Sequence, residues 1–297
     1  MSIGQTFRRS REITKISFGV VKKDREMLWF PFLASIFSLA YSIALLFPTI
    51  ISYFLIDGGD FESMEAIQYV WVFLTYLGLA FIATFFNVAV VYTTKIRFEG
   101  GNATFGDSIK FAFSRIHMIF MWSLLAATVG LLLYMLDQLA RNSKGVGRAL
   151  LGFLRSILAM AWNIITIFVV PGMVYYRLSP FDAIKKSGEV LKKTWGESIV
   201  RHYGLSFIRG LFFFLGIVLT AGLVLAIIYI PLGTWAIWFT VIFALLYFVI
   251  TGLVFNVLNQ VYNTALFVYA DSGKIPGGFS AEYVKHGFRE DVKTSSQ

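Results

Sequence analysis

Asparagine and threonine side chains interrupt several long apolar runs of this sequence, and they are the polar groups best suited to hydrogen-bond chemistry there. Asn256 and Asn259 are three residues apart, and Asn163 and Thr166 have the same spacing in an earlier run. Asn87 lies in a third run. Amides in apolar surroundings need hydrogen-bond partners. We therefore expect these side chains to face inward, either as bonds between helices or as the lining of a polar pocket.

A second group of residues has the chemistry to bind phosphate. Between residues 177 and 201 there are six Lys and Arg residues and one tryptophan. The expected lipid-headgroup residues are Arg177, Lys185, Lys186, Lys192, Lys193, Trp195 and Arg201. Each basic side chain near an anionic membrane surface contributes about 1 kcal/mol of attraction. Two interpretations stay open: these residues only set membrane topology, or they recognise a headgroup or a partner.

The sequence offers little for metal or nucleophilic chemistry. It contains no Cys, and His117, His202 and His286 lie far apart, without the spacing of metal ligands. The motifs of zinc peptidases, P-loop enzymes and serine hydrolases are absent. No nucleophile and base form a convincing group. We therefore expect no metal, no cofactor and no enzyme activity, and we assign no catalytic residue.

The composition excludes most soluble classes of protein. Of the 297 residues, 57% are hydrophobic and only 14% are charged, against about 25% charged in average soluble proteins. One soluble core could not bury so much apolar surface, and a chain this apolar is not disordered. Basic residues give a net charge of +9, but they cluster beside the apolar runs, so membrane topology explains them without nucleic-acid binding. The class that remains is a multi-span helical membrane protein.

Six apolar segments are long enough to cross a bilayer as helices. They are Leu28–Leu55, Ile67–Tyr92, Ile116–Leu136, Ser156–Tyr176, Gly210–Ile230 and Trp235–Tyr269. No charge lies at the centre of a segment, and the last one is longer than a bilayer requires, so we expect it to tilt or project. The expected fold is all-α, a polytopic membrane protein whose six transmembrane helices form three hairpins.

The distribution of Lys and Arg predicts the orientation of these spans. Of the 26 basic residues, 22 lie on one side. They occupy the segments 1–27, 93–115, 177–209 and 270–297. The other four lie in a loop expected at 137–155. Basic loops face the cytoplasm, so we expect a protein of the cell membrane with both termini in the cytoplasm.

Two of the basic loops contain the same helix-start signal. Thr104 precedes Asp107 by three residues, and Ser179 precedes Asp182 in the same way, with Pro180 at the first helical position. This is the pattern of a capping box, in which a hydroxyl and a carboxylate satisfy free backbone N–H groups. Each signal predicts a short amphipathic helix lying in the membrane interface, which we call an elbow.

The elbows and the double glycines of the loops divide the chain into repeating units. We expect one membrane domain, 1–297, built from three pseudo-repeats of an elbow followed by a helical hairpin. The units are 1–103, 104–178 and 179–278, and a cytoplasmic tail follows at 279–297.

One region of the sequence resembles known families. Its motifs are Trp-Asn-x-x-Thr-x-Phe-Val-Val-Pro at 162–171, Leu-Ser-Pro-x-Asp-Ala-Ile-Lys-Lys-Ser at 178–187 and Leu-Lys-Lys-Thr-Trp-Gly-Glu at 191–197. They are similar to a family of uncharacterised six-span prokaryotic integral membrane proteins, over about residues 70–270. The Pro…Ser-Pro-x-x-Ala-Ile-x-x-Ser core also resembles the membrane domain of some glycerophosphodiester phosphodiesterases. The resemblance implies the fold and a prokaryotic membrane location, and it supplies no catalytic residue.

These features favour a non-enzymatic membrane protein that scaffolds or organises lipid. The expected partners are anionic phospholipids and further copies of the chain in a homo-oligomer. The alternative is a channel or carrier for a neutral or lipid-like solute, which would pass through the interior lined by asparagine. A lipid-modifying enzyme has the least support, because no catalytic group is recognisable.

Overall fold

The computed structural model describes residues 14–15, 17–55, 65–195, 204–230 and 233–277, without the side chains of 48–55, 65–67, 193–195 and 204–207. These residues form helices and turns, and no β-strand occurs among them. The helices are α1 (17–23), α2 (Trp29–Leu55), α3 (Glu65–Phe98), α4 (Phe105–Ser114), α5 (Ile116–Asn142), α6 (Val146–Ile165), α7 (Val169–Tyr176), α8 (Pro180–Trp195), α9 (Gly204–Tyr229) and α10 (Thr234–Ser272). A short 3-10 helix, Arg25–Leu28, precedes α2.

Six helical stretches in the described part of the chain are long and apolar enough to cross a membrane. They form three hairpins: α2 with α3, α5 with the continuous stretch of α6 and α7, and α9 with α10. Helix α3 packs against both α2 and α5, and the third hairpin reaches the others through α10. The predicted all-α, multi-pass membrane architecture is confirmed.

The turn between α5 and α6 corrects one prediction. The loop expected at 137–155 is wrong, because only Ser143–Gly145 separates the two helices. Gly145 turns the chain with a φ of +56°, a conformation that glycine adopts without a steric penalty. Arg148 and Arg155 therefore lie on α6 itself. Arginine is a good helix former with a long side chain that can reach the membrane surface, so these charges did not end the helix.

The stretch formed by α6 and α7 contains a break just before Pro171. Here the backbone N–H of Ile167 donates to the carbonyl oxygen of Ile164 at 3.3 Å, three residues back instead of four. Proline has no N–H to donate and its ring clashes with the carbonyl group four residues back, so it favours a break in the helix before it. Helix α7 begins after this break, at Val169.

The buried core lies at one end of the assembly. Buried side chains concentrate on α7, on the last turns of α3 and α10, and on one face each of α4 and α8. The largest fully buried ones include Met27, Phe30, Ile119, Phe168, Leu258, Leu266 and Phe267. Away from this end, α2, α9 and the first half of α10 expose many large apolar side chains. We call the packed end, where α3, α7 and α10 finish, the basic end.

A tyrosine packs onto a glycine in two of the hairpins. The Tyr41 hydroxyl donates at 2.7 Å to the carbonyl oxygen four residues before Gly78, and a Cβ at Gly78 would lie 2.1 Å from the Tyr41 ring. Tyr247 donates at 2.8 Å to the carbonyl oxygen four residues before Gly216, where a Cβ would lie 2.3 Å from the Tyr247 ring. Each glycine therefore gives the ring access to the backbone of the facing helix.

We expect Gly78→Ala and Gly216→Ala to lower the melting temperature in detergent, because the added methyl group forces the tyrosine out of its contact. Overpacking of this kind costs about 1–3 kcal/mol. The matched control is Gly222→Ala on α9, where a Cβ meets nothing within 4 Å and alanine favours the helix. Equal melting temperatures for the Gly78→Ala and Gly222→Ala variants would contradict the packing argument.

Candidate functional site

Helix α4 is seated on the end of α3 by hydroxyl groups. The predicted capping box is present, since the N–H of Asp107 donates to Thr104 Oγ1 at 3.2 Å and the N–H of Thr104 donates to Asp107 Oδ2 at 3.0 Å. Hydrogen bonds from Thr104 hold the pKa of Asp107 below its usual value. On the inner face, the hydroxyl oxygens of Ser108 and Thr93 lie 2.7 Å apart, and both residues are buried. The first elbow is thus fixed at its start and along its inner face.

Helix α8 is seated on the break between α6 and α7. It begins at Pro180, and the Ser179 hydroxyl before it accepts a hydrogen bond from the N–H of Asp182 at 3.3 Å. Ser187 is fully buried, and its Oγ accepts a hydrogen bond from the N–H of Phe168 at 3.3 Å. This N–H belongs to the irregular backbone of the break, where helical hydrogen bonding is interrupted. The break between α6 and α7 therefore supplies the N–H donor that holds α8 in place.

The buried faces of the two elbows correspond when their capping boxes are aligned. Ser108 and Ala112 of α4 then match Ala183 and Ser187 of α8, and all four side chains are fully buried. Small side chains at these positions let both short helices approach the core closely. The division of the whole chain into three repeats stays a prediction, and its tail at 279–297 lies outside the described residues.

Lys186, one of the expected headgroup residues, pairs with a carboxylate in the fold. Its Nζ lies 2.7 Å from an oxygen of Asp271 and 5.2 Å from the centre of the Tyr176 ring. The Tyr176 hydroxyl donates to the same carboxylate. Asp271 is nearly buried, so it needs these partners to remain charged. The contacts tie α8 to α7 and α10, and no local sequence spacing could have indicated them.

The outer face of α8 presents the other headgroup residues that the structure describes on this helix. Lys185 and Lys192 are exposed and share a face with Phe181, which is 64% exposed. Arg177 is also exposed, but it lies at the end of α7 and not on this face of α8. The side chains of Lys193 and Trp195, and the whole of Arg201, lie outside the described residues.

The residues expected to form a polar interior differ in their exposure. Asn163, Asn256 and Asn259 are exposed, and Asn87 and Thr166 are half-buried. The Thr166 hydroxyl donates back into its own helix, to the carbonyl oxygen four residues earlier at 2.7 Å. The assignment of these five residues to a polar interior stays a prediction, since one copy of the chain leaves three of them exposed.

The packing of α10 accounts for the exposure of its asparagines. Phe255, Leu258 and Tyr262 are buried against the core, whereas Asn256 and Asn259 lie on a neighbouring strip of the helix that is exposed. Asn256 and Asn259 share one side of α10 and apolar residues fill the other, but in a membrane either side can meet the neighbouring helices, so the sequence pattern alone does not decide which one does.

A buried ion pair that the sequence did not indicate holds the segment before α2. Arg97, near the end of α3, donates two hydrogen bonds to the carboxylate of Asp24, which is 7% exposed. Arg97 also donates to Asn102 Oδ1 at 2.6 Å. Glu26 accepts a hydrogen bond at 2.7 Å from the N–H of Phe105, the first residue of α4. The N-terminal segment thus clamps the end of α3 to the start of the first elbow.

The chemistry offered by the basic end is anion binding. Among the described residues, no three His, Asp or Glu side chains lie close enough together to hold a metal ion. Asp24 and Asp271 are each engaged with a cation, whereas Lys110, Arg177, Lys185 and Lys192 are exposed. Exposed ammonium and guanidinium groups bind phosphates and carboxylates through charge-assisted hydrogen bonds.

Comparison with known families matches residues 66–278 to DUF6159, a family of unknown function. The chain belongs to the DUF6159 family. The match includes both elbows and most of the six spanning stretches, and it begins after Asp24 and α2. The membership confirms the predicted resemblance to an uncharacterised family. Similarity to the glycerophosphodiester phosphodiesterase membrane domain and a prokaryotic source both stay predictions. No curated protein matches the chain.

We expect Asp24→Asn to destabilise this DUF6159 protein by about 1.5–3 kcal/mol, because the half-buried Arg97 loses a charged hydrogen-bond acceptor. The matched control is Asp137→Asn, which breaks an exposed ion pair with Arg141 at 3.0 Å. Exposed pairs one helical turn apart contribute only about 0.3–0.5 kcal/mol. Thermal unfolding of both variants in detergent checks this, and equal losses would contradict a structural role for the Asp24 pair.

Proposed function

We propose that this protein is a non-enzymatic membrane protein that organises anionic phospholipid at the cytoplasmic face of the cell membrane. The observation that carries the proposal is the two-sided character of α8. One face is fully buried in the core, and the other exposes Phe181 together with Lys185 and Lys192. An aromatic ring beside lysines suits a membrane interface, where the ring enters the headgroup region and the lysines meet phosphates.

The position and rigidity of the elbows support this proposal. Helix α4 connects the end of α3 to the start of α5, so it lies where these two spanning stretches reach the membrane boundary. It exposes Lys110 and Phe113, the latter by 57%. Because hydroxyl contacts inside the core fix both elbows, their basic side chains project from a rigid base. Cations held at fixed positions can impose an arrangement on the lipids that they bind.

The proposed orientation follows from the charges. In the sequence, 22 of the 26 Lys and Arg residues lie in the segments 1–27, 93–115, 177–209 and 270–297, whose described parts are at the basic end. The opposite turn carries Arg141, Lys144 and Arg148, and Arg155 lies further along α6. This asymmetry favours a cytoplasmic location for the basic end and for both termini.

Polar side chains on the outer surfaces of the spans support a homo-oligomer as part of the proposal. Arg155 and Asn163 are exposed on α6, and Asn256 and Asn259 are exposed on α10. Amides and charges facing lipid tails are costly unless they find partners. Contact with further copies would provide hydrogen-bond partners for these side chains.

A channel or carrier for a neutral or lipid-like solute is the alternative. Exposed Asn163, Asn256 and Asn259 do not line a path through one copy. A polar path would therefore have to form between copies. This requirement makes transport the weaker of the two proposals, and it makes the oligomer the first property to measure.

We expect the double variant Lys185→Gln with Lys192→Gln to retain less phosphatidylglycerol than the wild-type protein on release from the membrane. Two lysines near an anionic surface contribute about 2 kcal/mol together, or roughly thirty-fold in affinity. The matched control removes two exposed charges at the opposite end, Arg141→Gln with Lys144→Gln. Native mass spectrometry measures the retained lipid. Equal retention by the two double variants would mean that the α8 lysines set topology alone.

We expect Asn256→Leu with Asn259→Leu to shift the protein from an oligomer towards a monomer, because the change removes the polar groups that a neighbouring copy would satisfy. The matched control is Thr128→Leu on α5. Its exposed hydroxyl already donates to its own helix at 2.9 Å and needs no neighbour. Subunit stoichiometry from native mass spectrometry checks this. A wild-type monomer, or the same oligomer in both variants, would contradict the proposed interface.

A further inference from the structure

Helix α1, which precedes the first span, has one side buried in the core. Ser17 and Asp24 are buried, and so are Val20 and Val21, which belong to the apolar cluster of the basic end. The Asp24 carboxylate, directly after α1, accepts hydrogen bonds from Arg97, so an ion pair adds to the apolar contact. A helix this short does not form alone in water, and its burial against the core explains why it forms here.

The buried positions of α1 and of the residue after it repeat the spacing found in the second elbow. In both cases the buried positions include the first, the fourth and the eighth residue of a stretch. These residues are Ser17, Val20 and Asp24 before the first span, and Pro180, Ala183 and Ser187 in α8. Residues three and four positions apart share one side of a helix. Helix α1 is therefore seated on the core by the same side as α8.

The side of α1 that lies away from the core carries an aromatic ring and a lysine. Phe18 is 50% exposed, and Lys22, also exposed, follows at helical spacing on the same side. When the buried positions of the two helices are aligned, Phe18 and Lys22 correspond to Phe181 and Lys185, the exposed pair of α8. The two helices thus present the same chemistry on the same side.

Lys23 follows Lys22 directly but lies on a different side of α1, because successive residues of a helix are about 100° apart. In the same alignment it corresponds to Lys186 of α8, whose ammonium group contacts Asp271 and not the exposed face. Lys23 is exposed, and no carboxylate among the described residues lies within 4 Å of it. Lys22 and Lys23 are therefore adjacent residues of equal charge that mark two sides of α1.

The level of α1 in the membrane follows from the start of the first span. The spanning stretch begins at Arg25, just after α1 ends. Trp29, at the start of α2, is 56% exposed and packs edge to face on Phe32, with the ring centres 5.5 Å apart. Tryptophan at the end of a span lies among the lipid headgroups. Because α1 is packed on the core at this end, its exposed side lies close to the same level.

We propose that α1 is a third elbow and that the side formed by Phe18 and Lys22 docks onto the anionic surface of the surrounding membrane. The Phe18 ring enters the headgroup region, and the Lys22 ammonium group donates hydrogen bonds to lipid phosphates. The level of α1 and the opposite charges of lysine and phosphate favour the membrane as the partner. The proposal rests on the proposed function only for the negative charge of the lipid. It concerns residues that precede the family match at 66–278, and it involves neither α4 nor α8.

The first test measures the membrane depth of the two sides of α1. The chain contains no cysteine, so Phe18→Cys and Lys23→Cys each provide a single site for a nitroxide label. The labelled full chain is placed in nanodiscs of phosphatidylcholine with phosphatidylglycerol. We expect electron paramagnetic resonance to detect more collisions with oxygen than with a water-soluble nickel complex at residue 18, and the reverse at residue 23, because oxygen concentrates in hydrocarbon.

Two results of this measurement would overturn the proposal. Equal access of the nickel complex to both labels would mean that the Phe18 side faces water. Low access of both reagents to residue 18 would mean that protein covers this side, either a second copy or a segment outside the described residues, and would exclude the membrane as its partner.

The second test compares Lys22→Gln with Lys23→Gln, which remove the same charge from adjacent exposed positions. Native mass spectrometry of the full chain titrated with phosphatidylglycerol measures the affinity for lipid. We expect Lys22→Gln to weaken binding about fivefold, as for one lysine at an anionic surface, and Lys23→Gln to weaken it less. Equal effects of the two variants, or none, would overturn the docking of the Phe18 side. If Lys185→Gln with Lys192→Gln still reduces the retained lipid in that case, the proposed function stands while the α1 site fails.

Discussion

The inner faces of α4 and α8 are held against the ends of the spanning helices by buried hydroxyl contacts, Ser108 with Thr93 and Ser187 with the N–H of Phe168. Apolar side chains of α3, α7 and α10 form the core around them. Inside a bilayer no hydrophobic force presses helices together, because lipid tails are as apolar as the side chains. At the membrane boundary water is near, and burial of apolar surface becomes favourable. This difference explains why the packing concentrates at the basic end while α9 and the first half of α10 remain exposed.

Once the elbows are seated, the roles of their charged groups follow. Lys186 lies towards the core and neutralises Asp271, whereas Lys185 and Lys192 lie on the outside of the same helix. Arg97 is engaged with Asp24 and holds the N-terminal segment. The lysines of α8 thus have two roles. One stabilises the fold, and the exposed ones can contact an anionic membrane surface. The distinction matters for function, because only the second kind can organise lipid without loosening the fold.

The parts of this fold that could be predicted depend on signals contained within a few residues. Hydropathy gave the six spanning stretches, and Thr104 with Asp107 and Ser179 with Asp182 gave the starts of both elbows. The turn at Ser143–Gly145 was missed because Arg148 and Arg155 resemble a loop by charge, although arginine supports a helix. The Asp24–Arg97 and Lys186–Asp271 pairs join distant segments, so no spacing indicates them. The asparagines were assigned to the interior on polarity alone, and the orientation of α10 depends on packing that polarity does not determine.

The central claim is that the elbows belong to the core of the fold and are not loosely attached surface helices. Hydrogen–deuterium exchange of the protein in lipid nanodiscs tests it directly, because amide exchange reports how often each helix opens. The account predicts that the amides of α4 and α8 exchange as slowly as those at the ends of α3, α7 and α10 that they contact. Exchange of α4 and α8 within seconds, beside slow exchange of the spanning helices, would contradict it.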